Sequence, residues 1–410
     1  MSVIWIVNQY GGIPRVGIHS RHYQLARRFA DKGHSVFLFS ANNHHHKSCD
    51  STSRNIEREH VQFGFDMVWL FTFQYKSSQS IIRFINWFIF AFSLVFRRPP
   101  NIPKPDVIYY SSLSLIGSLA AELISKFYGI PYIYEERDIW PLTLHEIKSV
   151  SRYNPVAVFL SLIQRRAYRK ADLVISTLPG LQDHIRSKNI VENSFLWLPN
   201  GCTELTPIVL SDADQRILKK IKTSKFSVCY VGSFGRANRI DVLLEAARIL
   251  RDQPDVEFFL FGFGVLSEEY KLFVRENGLT NVHFLGPVDR SLVPEIYSNV
   301  DVCYLGWGDY KMYKYGVSAN KLSEYMFFGK PILQSYSGKY DFVEQCGGGI
   351  TVPACDPKAV ATGVMILQQL NNAKLIKMGQ NSSEFAERHF DYDLIFEKLN
   401  QTLKDKSWID

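Results

Sequence analysis

Tyr315-Gly-Val-Ser-Ala-Asn-Lys-Leu-Ser-Glu-Tyr-Met-Phe-Phe-Gly-Lys-Pro331 is the stretch on which the reading of this chain turns. It starts loose and polar and becomes a short helix. Ser318 and Asn320 are the candidate N-caps, because a side-chain oxygen there can accept from the open N–H groups of a first turn. Leu322, Tyr325 and Met326 share one helical face, and Lys321 and Glu324, three apart, share another. Gly329 ends the helix, and Lys330-Pro331 leads into an Ile332-Leu333 strand. A helix N-terminus beside a lysine suits a diphosphate. An ionised carboxylate one turn further in can accept from both hydroxyls of a sugar diol. The plain alternative is a surface Lys321–Glu324 salt bridge on a core helix.

Outward from this stretch the C-terminal half alternates strand and helix. Phe226–Val231 is a strand followed by the loop Gly232-Ser233-Phe234-Gly235-Arg236 and a helix over Ile240–Arg251. Val256–Phe261 leads into Gly262-Phe263-Gly264, Val282–Leu285 into Gly286-Pro287-Val288, and Val300–Leu305 is a further strand. The N-terminal half has the same plan. Val3–Val7 is a buried parallel strand, Asn8–Pro14 a turn holding Gly11-Gly12, His19–Lys32 a helix and Ser35–Phe39 a strand. Asp106–Tyr110, Pro131–Tyr134, Leu173–Ser176 and Ser194–Leu198 follow as strands, with helices over Ser114–Tyr128 and Asn154–Lys170. Paired glycines let a backbone approach a ligand closely, yet G-x-G-x-x-G is absent, so no dinucleotide is indicated. The pattern predicts an α/β fold: two facing Rossmann-like domains with parallel sheets and a cleft between them. The boundaries read as 1–205, 206–385, and a helical tail 386–410, broken near Phe390, that packs back toward the first domain. Glu135-Glu136-Arg137-Asp138 closes a strand at the sheet edge where open α/β folds bind ligands; surface ion pairs are the alternative.

The chain has 410 residues, enough for two domains at roughly 100–200 residues each. Its net charge of +7 is uneven. Residues 1–205 carry 23 Lys and Arg against 15 Asp and Glu, or +8; the remainder carries 24 against 25, or −1. A basic half beside a neutral one suggests that it meets a polyanion, membrane phosphate or nucleic acid; simple solubility is the alternative, and nucleic acid leaves the second domain unexplained. Between Ile81 and Arg98 lies an apolar, aromatic segment closed by Arg97-Arg98 and Pro99-Pro100. It is shorter than the about 20 residues that span a bilayer. It reads as a helix over 84–98 lying in a headgroup layer, with Trp87, Phe88, Phe92, Arg97 and Arg98 as membrane contacts, or else as a buried helix. Six cysteines without a C-x-x-C pair, and no signal-peptide pattern, point to free thiols in a reducing cytoplasm. His44-His45-His46 reads as a solvated loop. Asp212-Ala213-Asp214 and Asp391-Tyr392-Asp393 have the spelling of a metal-binding D-x-D but lie in poor contexts, so no metal is expected.

The ordered set Val231-Gly-Ser-Phe-Gly-Arg-Ala-Asn238, Phe284-Leu-Gly-Pro-Val288 and Asn320-Lys-Leu-Ser-Glu-Tyr-Met326, with Gly11-Gly12, resembles the retaining glycosyltransferases of family 4, which have the GT-B fold. It looks most like the WbuB-like branch of O-antigen and capsule amino-sugar transferases. The resemblance implies a UDP-sugar donor held by the C-terminal domain and a polyprenyl-diphosphate-linked saccharide acceptor at the inner face of the plasma membrane. It assigns Glu324, the second glutamate of the family's E-x7-E motif, to the ribose. Gly11, Gly12, Ser233, Arg236 and Lys321 fall to the donor diphosphate, and the backbone at Gly286 and Val288 to the base. Gly316, Val317, Ser318 and Asn320 form the donor-sugar loop. Asp138 and Arg137 are the acceptor-side catalytic candidates with Glu324. Three positions depart from the family: Gly316 where a glutamate is common, Ser233 and Asn238 where an arginine and a lysine are common, and Arg137 where a histidine often precedes the aspartate. A non-catalytic sugar-nucleotide-binding subunit docking a membrane partner, or a GT-B UDP-sugar epimerase, are the rival readings.

Overall fold

The apolar runs of the first half line up as an eight-stranded sheet. Its strands are β1 (Val3–Val7), β2 (Ser35–Ala41), β3 (Glu57–Val61), β4 (Phe65–Leu70), β5 (Val107–Ser112), β6 (Tyr132–Glu136), β7 (Leu173–Ser176) and β8 (Phe195–Trp197), in the order β3-β4-β2-β1-β5-β6-β7-β8. The computed structural model describes residues 1–14, 21–43, 57–75, 80–99, 101–147, 149–202, 210–223 and 225–410. The His44–His46 run and His19 therefore lie outside the described residues. Two units emerge: Met1–Pro199 with Tyr392–Asp410, and Asn200–Asp391.

In the first unit all strand pairs are parallel except β3–β4. That hairpin is not legible as a strand pair, because the 57–61 run is charged rather than apolar. It forms the sheet edge, where Arg58 and His60 both reach Asp66, at 2.6 and 2.9 Å. Charged edge strands are a common guard against edge-to-edge pairing. Helices α1 (Arg21–Asp31), α2 (Ile81–Phe96), α3 (Ile116–Tyr128), α4 (Leu142–Ile147), α5 (Pro155–Lys170) and α6 (Leu181–Ser187) complete the unit's crossovers. Asn154 caps α5 by accepting from Val156 and Ala157 N–H, and Pro155 starts it where no intrahelical donor is needed.

Helix α2 begins at Ile81, capped by Ser80, and ends at Phe96. Trp87 is not a surface anchor. It is 5% exposed, and its indole N–H donates to the Tyr10 hydroxyl at 2.9 Å. The reason is helical phase: Asn86, Trp87, Phe90, Ser93 and Leu94 fall on the inward face, while Phe88 and Phe92 fall on the outward one. Arg98 is also corrected, since its half-buried guanidinium stacks over Trp5 at 5.1 Å and Tyr128 at 5.6 Å. Arg97 is exposed.

The second unit opens with α7 (Asp212–Lys222), within the segment that reads as an inter-domain crossing. Its sheet comprises β9 (Phe226–Val231), β10 (Val256–Phe261), β11 (Val282–Gly286), β12 (Val302–Gly306), β13 (Ile332–Ser335) and β14 (Gly349–Val352). All are parallel, in the order β11-β10-β9-β12-β13-β14. Helices α8 (Ile240–Ile249), α9 (Ser267–Glu276), α10 (Val293–Asn299), α11 (Asn320–Phe327), α12 (Phe342–Cys346), α13 (Pro357–Gln369) and α14 (Asn372–His389) accompany it. The long C-terminal helix breaks at Phe390, and α15 (Tyr392–Asp405) buries Tyr392, Ile395, Phe396, Leu399 and Leu403 in the core of the first unit. The Phe396 ring packs against Phe29 of α1 with centroids 4.9 Å apart.

Candidate functional site

The chemistry of the second unit gathers at the C-terminal ends of β9, β10 and β11 and at the start of α11. Glycine lets these loops touch backbone to backbone. A Cβ on Gly262 would lie 1.9 Å from the Gly232 carbonyl oxygen, and Gly262 N–H donates to Gly286 O at 2.7 Å. Gly232 itself, at φ 149°, leaves room for Lys321: a Cβ there would lie 2.2 Å from the lysine Cε. The Lys321 ammonium lies 5.4 Å from the centroid of the Tyr230 ring and donates to Asn238 Oδ1 at 3.2 Å. Asn238 Nδ2 in turn donates to the Ser233 carbonyl at 2.9 Å and hydroxyl at 3.2 Å. An ammonium has three donors, and those beyond the Asn238 bond engage no described residue. Burial lowers the Lys321 pKa below the ordinary lysine value, against the pull of Glu324.

Lys321 and Glu324 do not form the salt bridge of the plain reading. Glu324 Oε1 accepts from Arg290 Nη2 at 2.7 Å, and Oε2 engages no described residue. Burial raises the Glu324 carboxyl, opposed by Arg290 and then Lys321. Neither Ser318 nor Asn320 caps α11. The N-cap position is Ala319, with no side-chain cap bond. The Ser318 carbonyl and hydroxyl instead accept from Asn200 Nδ2, both at 3.1 Å, which ties the loop before α11 to the Pro199-Asn200-Gly201 turn. The helix N-terminus beside Lys321 thus keeps uncapped N–H groups, the feature that suits an anion. Gly316 has φ 93° and ψ 176°, a region essentially restricted to glycine. A side chain here would strain this backbone, so the glycine and the loop shape are one feature. Val317 is buried beside it.

Arg236 is exposed and forms no ion pair among the described residues. Arg239 is committed elsewhere, paired through two nitrogens with Asp241 at 3.0 and 2.6 Å. Both line a pocket of about 310 Å³ with Tyr270 and Tyr310. Gly286 ends β11 at φ 75°, and Val288 is partly buried two residues on.

In the first unit the strand ends are crowded with charge of another kind. Glu135, fully buried, meets Arg21 Nη2 at 3.0 Å and His22 Nε2 at 3.3 Å, and accepts from the Ser111 hydroxyl at 2.5 Å. Burial opposes its charge, but Arg21 and then His22 outweigh that and hold the carboxyl well below its usual range. Burial also brings the His22 pKa down to about 4, against the attraction of Glu135. The ring is therefore neutral near pH 7, with Nε2–H assigned as the donor to Glu135. Glu136 points to different partners. It accepts from Gln164 Nε2 at 2.8 Å, Trp140 N–H at 3.3 Å and the Tyr134 hydroxyl at 3.1 Å. Burial raises its pKa to about 7, those donors opposing. Asp138 accepts no hydrogen bond among the described residues and opens to solvent, though densely surrounded. That crowding raises its pKa, Arg137 opposes it, and solvent access limits the rise. Gly11 N–H is already engaged by Asn8 O at 3.0 Å, and its carbonyl by the Ser40 hydroxyl at 2.8 Å. Gly12 is buried next to it.

The D-x-D spellings have structural partners. Asp214 closes a capping box with Ser211 at the start of α7, and Asp393 pairs with Arg28 at 2.7 Å. Sequence reasoning missed Arg290, Asn238 as a lysine partner, Asn200, and the Arg21–His22–Glu135 cluster. Arg290 follows the Gly-Pro-Val turn by two residues, and that proximity was the only available signal. The others depend on contacts between residues 83 to 118 positions apart.

Residues 16–201 match the family described as "Glycosyl transferase 4-like domain", and residues 225–369 match "Glycosyl transferases group 1". No curated protein sequence matches the chain. Among solved structures, sucrose-phosphate synthase from Thermosynechococcus elongatus superposes with a TM-score of 0.74 at 18% identity, over 99% of each chain. Anabaena HepE in complex with UDP-glucose gives 0.70 at 17% identity, over 99% of this chain and 100% of that one. WaaG, a glycosyltransferase involved in lipopolysaccharide biosynthesis, gives 0.66 at 13% identity, over 97% of this chain and 98% of that one. At these identities the structures speak to the fold, which is GT-B. With the two family matches falling one in each half, the chain is a GT4-type glycosyltransferase.

Proposed function

We propose that the protein transfers a sugar from a UDP-sugar to a polyprenyl-diphosphate-linked saccharide, with retention of anomeric configuration, in assembly of an O-antigen or capsule repeat. The observation that carries the donor side is the pairing, on one short helix, of Lys321 lodged against Gly232 with Glu324 one turn later. Breaking the anomeric C–O bond pushes negative charge onto the departing diphosphate. Lys321, Arg236 and the uncapped α11 N-terminus around Ser318 and Asn320 supply fixed positive potential for it, so no metal is needed in this reading. The second oxygen of Glu324 accepts from the ribose hydroxyls, and Gly286 to Val288 receive the base. Gly316 and Val317 shape the sugar side. HepE, solved in complex with UDP-glucose, supports a uridine donor in this reading.

On the acceptor side Asp138 orients the attacking hydroxyl and Arg137 meets an acceptor anion. The leaving phosphate oxygen takes the acceptor proton as the new glycosidic bond forms on the same face. The WbuB-like likeness favours an N-acetylated amino sugar. The exposed Phe88 and Phe92 of α2, with Arg97, support attachment to the inner face of the plasma membrane.

The test is calorimetry with UDP, GDP, ADP, dTDP and CMP, without divalent metal, on wild type and Glu324→Ala. UDP binding that weakens at least tenfold in the variant is expected. A folded protein that binds none of the five would leave the scaffold reading in its place.

A further inference from the structure

We propose that the outward faces of α2, α3 and α5 together form one docking surface for an anionic phospholipid bilayer. This rests on the membrane reading of α2 above and moves its centre onto two other helices.

On α2 the outward row is Ile81, Ile85, Phe88, Phe92 and Phe96, all exposed and spaced by three or four residues. On α3 the same side carries Leu123 and Phe127, the latter 78% exposed. On α5 it carries Phe159 and Leu162, the latter 61% exposed. The helices are neighbours: α3 packs against α2 on one side and α5 on the other. Leu123 and Leu162 line a shared open groove of about 600 Å³ between α3 and α5. Exposed apolar rows on three neighbouring helices, with the Glu122–Lys126–Arg166 cluster set in the groove between α3 and α5, are unusual for a surface that meets only water. No helix among the described residues is long and apolar enough to cross a membrane, so contact would be lateral.

Charge selects the occupant. The only carboxylate on the three helices is Glu122. It is held between Lys126 at 2.6 Å and Arg166 at 2.7 Å, which leaves that cluster net positive. Arg97, Arg169 and Lys170 stand exposed at the ends of α2 and α5. All three helices connect parallel strands and run the same way, so these cations gather at one end of the apolar field. A second copy of this chain would bring like charges together across a two-fold contact. A sheet of anionic headgroups over acyl chains complements both the cations and the phenyl rings.

Vesicle co-sedimentation of the full chain separates the possibilities. One vesicle set holds phosphatidylglycerol in phosphatidylcholine, and the other phosphatidylcholine alone. Two double variants act outside α2: Phe127→Ser with Leu162→Ser, and Arg169→Glu with Lys170→Glu. A third, Phe88→Ser with Phe92→Ser, acts on α2. UDP binding by each variant reports that the fold is kept. We expect each double variant to lower the partition coefficient on anionic vesicles by about tenfold or more, and phosphatidylcholine alone to bind wild type weakly. Wild-type partition by both variants outside α2, with loss in the α2 variant, would overturn the three-helix surface and leave the α2 reading standing. No vesicle binding by wild type with UDP binding intact would remove both. A dimer in analytical ultracentrifugation that Phe127→Ser with Leu162→Ser dissociates would assign the face to a second copy instead.

Discussion

Two clusters of charge lie at strand ends, one in each unit, and they behave in opposite ways. In the first unit Glu135 and Glu136 are both fully buried, and each accepts from several fixed donors. In the second, Lys321 and Glu324 have one partner each, Asn238 and Arg290, and keep further bonding capacity. A fully buried carboxylate with several fixed donors holds a backbone in place, and a group with a single partner at a loop-built edge can accept a ligand. Ionisable residues after a strand are thus a poor guide by themselves. What distinguishes scaffold from site is how much of each group's bonding capacity the protein already uses.

The sharpest way to break that comparison is Glu135→Ala. If Glu135 is a structural anchor, the variant leaves Arg21 buried beside a neutral histidine and loses about 3–5 kcal/mol in chemical denaturation. A loss under 1 kcal/mol with impaired transfer would make it part of the site.

Next is a pH measurement on the same unit. The Glu136 carboxyl, raised to about 7, binds a proton more readily folded than unfolded. Its contribution to stability therefore falls as pH rises from about 4.5 toward 7. His22, lowered to about 4, works the other way: its contribution falls as pH drops from about 6.5 toward 4. The two slopes have opposite signs between about pH 4.5 and 6.5, so each offsets the other there. Glu136→Gln removes one of them. The variant should lose about 3 kcal/mol relative to its own value at pH 7 on going to pH 4, while wild type over the same span changes far less. Parallel pH curves for the two proteins would show that these groups do not oppose each other.

For the second unit, Lys321→Ala should lower kcat by about 10²-fold, the scale of one lost donor to a charge-developing oxygen. Stability should change little by comparison. A variant that unfolds as readily as Glu135→Ala would put Lys321 with the structural group. The smallest effect is expected at Trp87→Phe. It removes the bond to the Tyr10 hydroxyl and should cost about 1 kcal/mol with vesicle binding unchanged. Reduced vesicle binding would return Trp87 to the surface.

Much of the fold was legible because parallel strands buried on both faces read as continuous apolar runs, as Val3–Val7 and Phe226–Val231 do. The β3–β4 hairpin was not, because a charged edge strand carries no such run. On the site, Lys321 and Glu324 stood out by spacing along one helix, a short-range property. The expected caps did not form, because the oxygens of Ser318 bond Asn200, 118 residues away in sequence. Trp87 and Phe88 were indistinguishable by composition, and only the packing of α2 onto Tyr10 separated an inward tryptophan from an outward phenylalanine.

By itself, then, the sequence determined what is local and periodic. That comprises alternating strands and helices in two halves, glycines where loops close over strand ends, a lysine and a glutamate one turn apart, and a first half rich in positive charge. Tertiary structure alone decided which charges are satisfied. Arg21 and His22 pair with the buried Glu135, Arg290 takes one oxygen of Glu324, and Gly232 admits the stem of Lys321. It also decided that apolar rows on α2, α3 and α5 share one outward face. Hydrogen bonds and burial act over a few ångströms, and residues that close can stand more than a hundred positions apart along the chain.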